Sequence, residues 1–178
     1  MADIGEFIRE YSDFKSSFKA TSFDSENGEY LCFDESQEVI NYDEIIEEEY
    51  PNSNRRPKSF DAIFVYENKI FCIEFKNQKP SQINNQDICE KLTAGKAELD
   101  KILQKLNIQS THYDFVYCVA YKKCIEPHDR YKCGIDRGKV LFGLTQYKVQ
   151  GIVKEIFTEN VDFFTKQFKK QFNKELTC

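Results

Sequence analysis

The sequence predicts an α/β domain built on a single mixed β-sheet flanked by helices, and three observations predict it. Residues 60–66 and 69–76 are two apolar and aromatic runs separated only by Glu67 and Asn68, the length of a two-residue hairpin loop. The run YDFVYCVAY, residues 113–121, is almost continuously apolar, as in a central strand covered on both faces. Apolar residues recur at helical spacing before, between and after these runs. The order helix, strands, helix, strand puts helices against one sheet.

Each element follows from its own pattern. Ile4, Phe7, Ile8, Tyr11, Phe14 and Phe18 predict an amphipathic helix over residues 3–18. SENGE is a turn, and EYLCFD, residues 29–34, is a predicted strand. INYDEIIEEEY predicts a short helix with Tyr42, Ile45, Ile46 and Glu49 on one face. PNSNRRPK, with two prolines, is a loop. After the hairpin, KPSQIN breaks the pattern. A longer helix over about residues 86–106 then carries Ile88, Leu92, Ala94, Leu99, Ile102, Leu103 and Leu106 on its apolar side. Residues 122–137 are polar and loop-like, and KVLFGL and GIVKEIF are candidate further strands. Val161, Phe164, Phe168, Phe172 and Leu176 mark a C-terminal helix. The whole of residues 1–178 is expected to form one domain, with that helix, about 159–176, as an appendage.

Composition sets limits. Hydrophobic residues make up 40% and aromatics 15%, enough for a real core. No run of 18 apolar residues suggests a membrane span, and the acidic start MADIGEFIREYSDF has no apolar signal-peptide core. Seven cysteines at irregular spacing, with no CxxC, predict free thiols and a cytoplasmic location. The net charge of −5 is uneven: residues 1–50 hold 15 acids and 3 bases, and the remainder holds 15 acids and 22 bases. A polyanion is repelled by the first part and tolerated by the second. The acidic N-terminal region is a candidate surface for a protein partner or a homodimer.

The hairpin carries a puzzle: three ionisable residues, Asp61, Glu74 and Lys76, in an otherwise apolar sheet. A two-residue turn makes Tyr66 face Lys69, so the numbers of opposed residues sum to 135 and Asp61 faces Glu74. Alternation puts Lys76 on the same face. Opposed Cβ atoms lie about 4.5–5.5 Å apart, where two carboxylates repel. A hard divalent cation relieves that repulsion. It can also activate a water and stabilise charge on a scissile phosphate. A frayed hairpin end with surface charges is the plainer alternative, although opposite signs would then be favoured across the ladder.

Asp61, twelve intervening residues, then Glu74-Phe75-Lys76 resembles the PD-(D/E)xK nuclease superfamily, over about residues 57–121. The succession of elements is similar to that family's αβββαβ restriction-endonuclease-like core. Phe60 stands where many members have the proline. The resemblance implies a metal-dependent phosphodiesterase acting on nucleic acid, with DNA as the expected substrate and Mg²⁺ or Mn²⁺ as cofactor. It implies Asp61 and Glu74 as metal ligands and Lys76 as the residue acting on the attacking water. It also implies a further acid from a preceding helix, for which Glu49 is the first candidate and Glu10, with Glu6, the second. A non-catalytic module of the same fold, binding nucleic acid or protein, is the alternative.

Other signals are weaker. Arg55, Arg56, Lys58 and Lys79 flank the motif and are candidate phosphate contacts. Lys91, on the following helix, can point toward the site. Cys118, Cys124, His128 and Cys133 lie close in sequence but lack a paired zinc-ligand spacing, so no zinc site is expected. No phosphate-binding glycine loop and no nucleophile–histidine spacing occurs.

Overall fold

The computed structural model of the chain describes residues 3–123, 125–136 and 138–178, without the Cys133 side chain. In order the elements are α1 (Ile4–Glu10), β1 (Lys15–Ser17), α2 (Phe18–Thr21), β2 (Phe23–Asp24), β3 (Glu29–Tyr30), β4 (Glu38–Asn41) and α3 (Tyr42–Glu49). They continue as β5 (Ala62–Tyr66), β6 (Lys69–Lys76), α4 (Asn85–Lys105), β7 (Asp114–Tyr121), α5 (Pro127–Asp136), α6 (Thr145–Val149), β8 (Glu155–Asn160) and α7 (Val161–Phe172).

Among the described residues, six strands form one mixed sheet in the order β1-β4-β5-β6-β7-β8, and helices flank it. The pairs from β1 to β6 are antiparallel, while β7 and β8 run parallel to β6. A second, two-stranded ribbon joins β2 to β3. The β5–β6 hairpin keeps the register fixed by its two-residue turn, from Tyr66 opposite Lys69 to Ala62 opposite Ile73. Glu67 takes a φ of 53° to close that turn.

The sheet has two covered faces. On one, Ile63, Ile70, Cys72, Phe115, Tyr117, Val119 and Tyr121 pack under α1, α3 and α4, which contribute Phe7, Ile45, Ile46, Ile88, Leu92, Leu99 and Leu103. On the other, Phe64, Phe71, Ile73, Phe75, Val116, Cys118 and Ala120 pack under Phe18 of α2 and Val161 and Phe168 of α7. Phe64, Phe71 and Phe75 are edge-on or tilted against the rings of Phe164, Phe168 and Phe172. The C-terminal helix, expected as an appendage, thus lays an aromatic stripe on the sheet.

Several local expectations are corrected. The first helix stops at Glu10 rather than near residue 18. Ser12, Asp13, Ser16 and Ser17 compete for local backbone contacts, and Lys15–Ser17 pairs with β4 instead. The predicted strand over residues 29–34 keeps only Glu29 and Tyr30, because Cys32 N–H donates to Ser22 Oγ and Phe33 N–H to Thr177 O. Residues 122–137 are not simply a loop but contain α5, which starts at Pro127, a residue suited to the first helical position. KVLFGL is not a strand; Phe142 has a φ of 60°, and the segment leads into α6. GIVKEIF contributes only its last residues, to β8.

The cysteines differ too. Cys32 and Cys178 form a disulfide, whereas Cys72, Cys89 and Cys118 are free thiols. The two partners lie 146 residues apart, so sequence spacing carries no trace of the bond. Cys124 and the Cys133 side chain fall outside the described residues, so the zinc question at that cluster lies there as well. No helix among the described residues is long and apolar enough to cross a membrane.

Candidate active site

The site sits where β5 begins and β6 ends. Asp61 immediately precedes β5, and its Oδ2 accepts from Phe75 N–H at 2.5 Å, which anchors it beside β6. Glu74, on β6, is fully buried, with its side chain 0% exposed. It lies on the face of Cys72 and Ile70, under α4. Lys76 is the last residue of β6 and shares that side: its Nζ is 3.0 Å from Glu74 Oε1. The three residues singled out from the hairpin parity therefore come together.

Lys91 joins them from α4. Its Nζ is 2.8 Å from Glu74 Oε1 and 3.5 Å from Asp61 Oδ1. Its position follows from the packing of α4, in which Ile88 and Leu92 are completely buried and Gly95 is set against Phe60. Tyr42 Oη donates to Gly95 O at 2.9 Å, tying α3 to the same turn of α4. Asp87, one turn before Lys91, accepts from Lys76 at 3.1 Å and from Lys58 at 2.8 Å. Lys58 also pairs with Glu90.

Electrostatics reflect this crowding. Burial, and then the charge of Glu74, push the Asp61 carboxyl well above the usual carboxylate range. Burial works against the charge of Lys76, but Glu74 and Asp87 outweigh it and hold the ammonium above its ordinary value. Lys91 is raised in the same way, with Glu74 and Asp61 outweighing burial. Asp87, partly buried, is lowered by Lys58 and Lys76.

Glu74 Oε1 is buried, with the Lys91 ammonium at 2.8 Å and the Lys76 ammonium at 3.0 Å. An open pocket beside it is lined by residues 21–26, Asp61, Glu74–Gln78 and Lys91. Two adjacent carboxylates beside an open pocket suit Mg²⁺, which binds through one or two carboxylates and retains several waters. Among the described residues, no three His, Cys, Asp or Glu side chains converge into a fuller cage.

The remaining candidates are dispersed. Glu49 pairs with Lys105 at 2.8 Å. Lys105 is fourteen residues beyond Lys91 on α4, roughly 21 Å along the helix axis. Glu10 is exposed at the end of α1, and Glu6 pairs with Arg9. Neither helix brings those acids to the site. Other acids do sit nearby: Asp24 and Glu26 line the same pocket, and Asp43 lies in the first turn of α3. It accepts a hydrogen bond from Ser59 Oγ, and its charge acts on both Asp61 and Lys91. Its sequence signal is its place three residues before Ile46, on the edge of the inward stripe. Arg56 pairs with Glu47, Lys79 with Asp129, and Arg55 is exposed in the loop before the hairpin.

Comparison of the chain with protein-family models, with curated proteins and with solved structures finds no match in any of the three.

Proposed function

We propose that the chain is a metal-dependent nuclease that hydrolyses phosphodiester bonds in DNA at the Asp61, Glu74 and Lys76 site. The observation that carries this reading is the pairing of Asp61 with a fully buried Glu74, bridged by lysines beside an open pocket that both acids line. The choice of DNA, and the likeness to the PD-(D/E)xK superfamily, rest on the Asp61…Glu74-Phe75-Lys76 pattern.

Asp61 Oδ1 and Glu74 Oε1 are the oxygens that would hold Mg²⁺ or Mn²⁺. The bound ion supplies an activated water and charge stabilisation on the phosphate. Asp61 Oδ2 stays occupied by Phe75 N–H, which fixes the orientation of the carboxylate. Lys76, beside Glu74 and Asp87, acts on the attacking water and offsets charge on the phosphate. Asp87 restrains its Nζ from the other side.

The test is cleavage of single-stranded, double-stranded and closed-circular DNA with Mg²⁺, with Mn²⁺ and with a chelator. Cleavage is expected only with an ion. Asp61→Asn and Lys76→Met are expected to lower the rate at least about 100-fold, the low end for general acid–base and electrostatic groups. Activity in chelator, or an Asp61→Asn variant as active as the parent, would overturn the reading.

A second reading, a non-catalytic binding module, has one observation in its favour. Phe23 and Tyr30 on the acidic β2–β3 ribbon, with Phe33 just beyond it, are exposed together, as a protein-docking surface would be. It predicts no change in melting temperature with any divalent ion.

A further inference from the structure

The space between the two carboxylates is filled by a lysine. Lys91 Nζ lies 2.8 Å from Glu74 Oε1, 3.0 Å from Glu74 Oε2 and 3.5 Å from Asp61 Oδ1. Lys76 reaches Glu74 but is drawn away by Asp87, 3.1 Å distant. Of the two lysines, Lys91 is the one that bridges the carboxylate pair.

We propose that Lys91 is the resident counter-cation of the metal site: its ammonium holds Asp61 and Glu74 together when no divalent ion is bound, and withdraws into the pocket when one enters. This rests on the two-carboxylate reading of the site and adds an exchange step to it.

Two arguments support the exchange. First, the ion and the ammonium need the same oxygens. An ion held by carboxylate oxygens of both residues would compete directly with an ammonium bridging them, and the two cations repel. Second, the movement is confined to a side chain. The neighbours Ile88 and Leu92 are fully buried, so the α4 backbone is fixed, whereas the Lys91 side chain is 19% exposed and lines the open pocket. Its flexible four-carbon stem permits the head group to swing outward.

The consequence is that divalent-ion affinity is set by a competition inside the protein. Calorimetric titration of the parent and Lys91→Met with Mn²⁺ and with Ca²⁺ tests it. The variant is expected to bind tenfold or more tightly, and Lys91→Arg no more tightly than the parent. Equal or weaker binding by Lys91→Met overturns the proposal while leaving the nuclease reading intact. Absence of ion binding in both proteins overturns the two together.

A second measurement uses the parent protein alone, so it does not depend on the variant folding. Lysine acylation is read by peptide mass spectrometry with and without Ca²⁺. Lys91 is expected to become several-fold more reactive with the ion, while Lys101, 61% exposed, is unchanged. No increase at Lys91 overturns the proposal.

Discussion

At Asp61 the fold holds a carboxyl whose surroundings favour the proton. Burial and Glu74 raise it well above the ordinary value of 3.8. Its contribution to stability is therefore complete below that ordinary value and is lost as pH rises through the raised one. A divalent ion takes only the ionised form. The ion-induced rise in melting temperature is thus expected to be smallest in acid and to grow as pH rises through the raised value, as read by scanning calorimetry with and without Mg²⁺. Asp61→Asn keeps an acceptor for Phe75 N–H while removing the charge opposite Glu74. Without metal it is expected to melt at the parent temperature or about 2–4 °C above it, the shift that roughly 1 kcal/mol gives at this chain length. A clear fall would show that the pair is not mutually repulsive. Asp61, Glu74 and Lys76 are legible in the sequence because a two-residue turn fixes which side chains share a face. Asp43 is legible only as a residue on the edge of the inward stripe of α3, because its nearness to Asp61 and Lys91 comes from the tertiary fold. Glu49 shows the same limit from the other side: periodicity put it on the inward stripe, but it is exposed at the far end of the helix, paired with Lys105.

Among the elements, α4 does most to build the site. It carries Asp87 and Lys91 to the carboxylates, and the turn after Lys91 approaches the core closely at Gly95. A Cβ there would lie 2.8 Å from two atoms of the Phe60 ring, itself stacked on Tyr42 with centroids 4.6 Å apart. Gly95→Ala is therefore expected to cost about 1–3 kcal/mol by denaturant unfolding, the usual penalty for overpacking, and to weaken ion binding through Lys91. Gly134 on α5 is the contrast, since a Cβ there meets nothing within 4 Å. Gly134→Ala is expected to gain roughly 0.5–1 kcal/mol, the helix-propensity difference. If both substitutions behaved alike, the close approach of α4 to Phe60 would not be what positions it. Elements with strong patterns, β5, β6, α4 and β7, are readable from sequence to within a residue or two of their bounds. The short ones, β1 and β4, are not. Three or four residues show too little alternation to be distinguished from loop, and their ladder partners are remote in sequence.

Over the whole molecule, the two faces of the sheet have different duties. The face under α7 is mostly apolar and aromatic, with Glu159 buried at its edge, and each fully buried large apolar side chain there contributes about 1.5–3 kcal/mol. That reserve offsets the cost of the buried Glu74 on the opposite face. The C-terminal tail adds a clasp: Thr177 N–H donates to Asp34 Oδ2 at 3.1 Å, Lys174 to Gln37 at 3.1 Å, and Cys178 is bonded to Cys32. Closing a loop of more than 100 residues is worth on the order of 4–5 kcal/mol in the chain-entropy picture, so a reductant is expected to lower the melting temperature by about 10 °C. An unchanged melting temperature would mean that the hydrogen bonds alone hold the tail.

The parallel pairing of β6 with β7 also dictates an order of events in time. The β5–β6 hairpin closes over two residues and can form within about 1–10 μs, whereas Lys69 finds its partner Asp114 only after α4 has crossed over the sheet. During that interval Asp61 and Glu74 are already brought together with only Lys76 beside them, and Lys91, which bridges the pair, has yet to arrive. A divalent ion in the refolding buffer can take its place and screen the nascent hairpin. Stopped-flow refolding of the parent is therefore expected to accelerate with Mg²⁺, and refolding of Asp61→Asn to be indifferent to it, which would make the ion a participant in the assembly of the chain as well as in its chemistry.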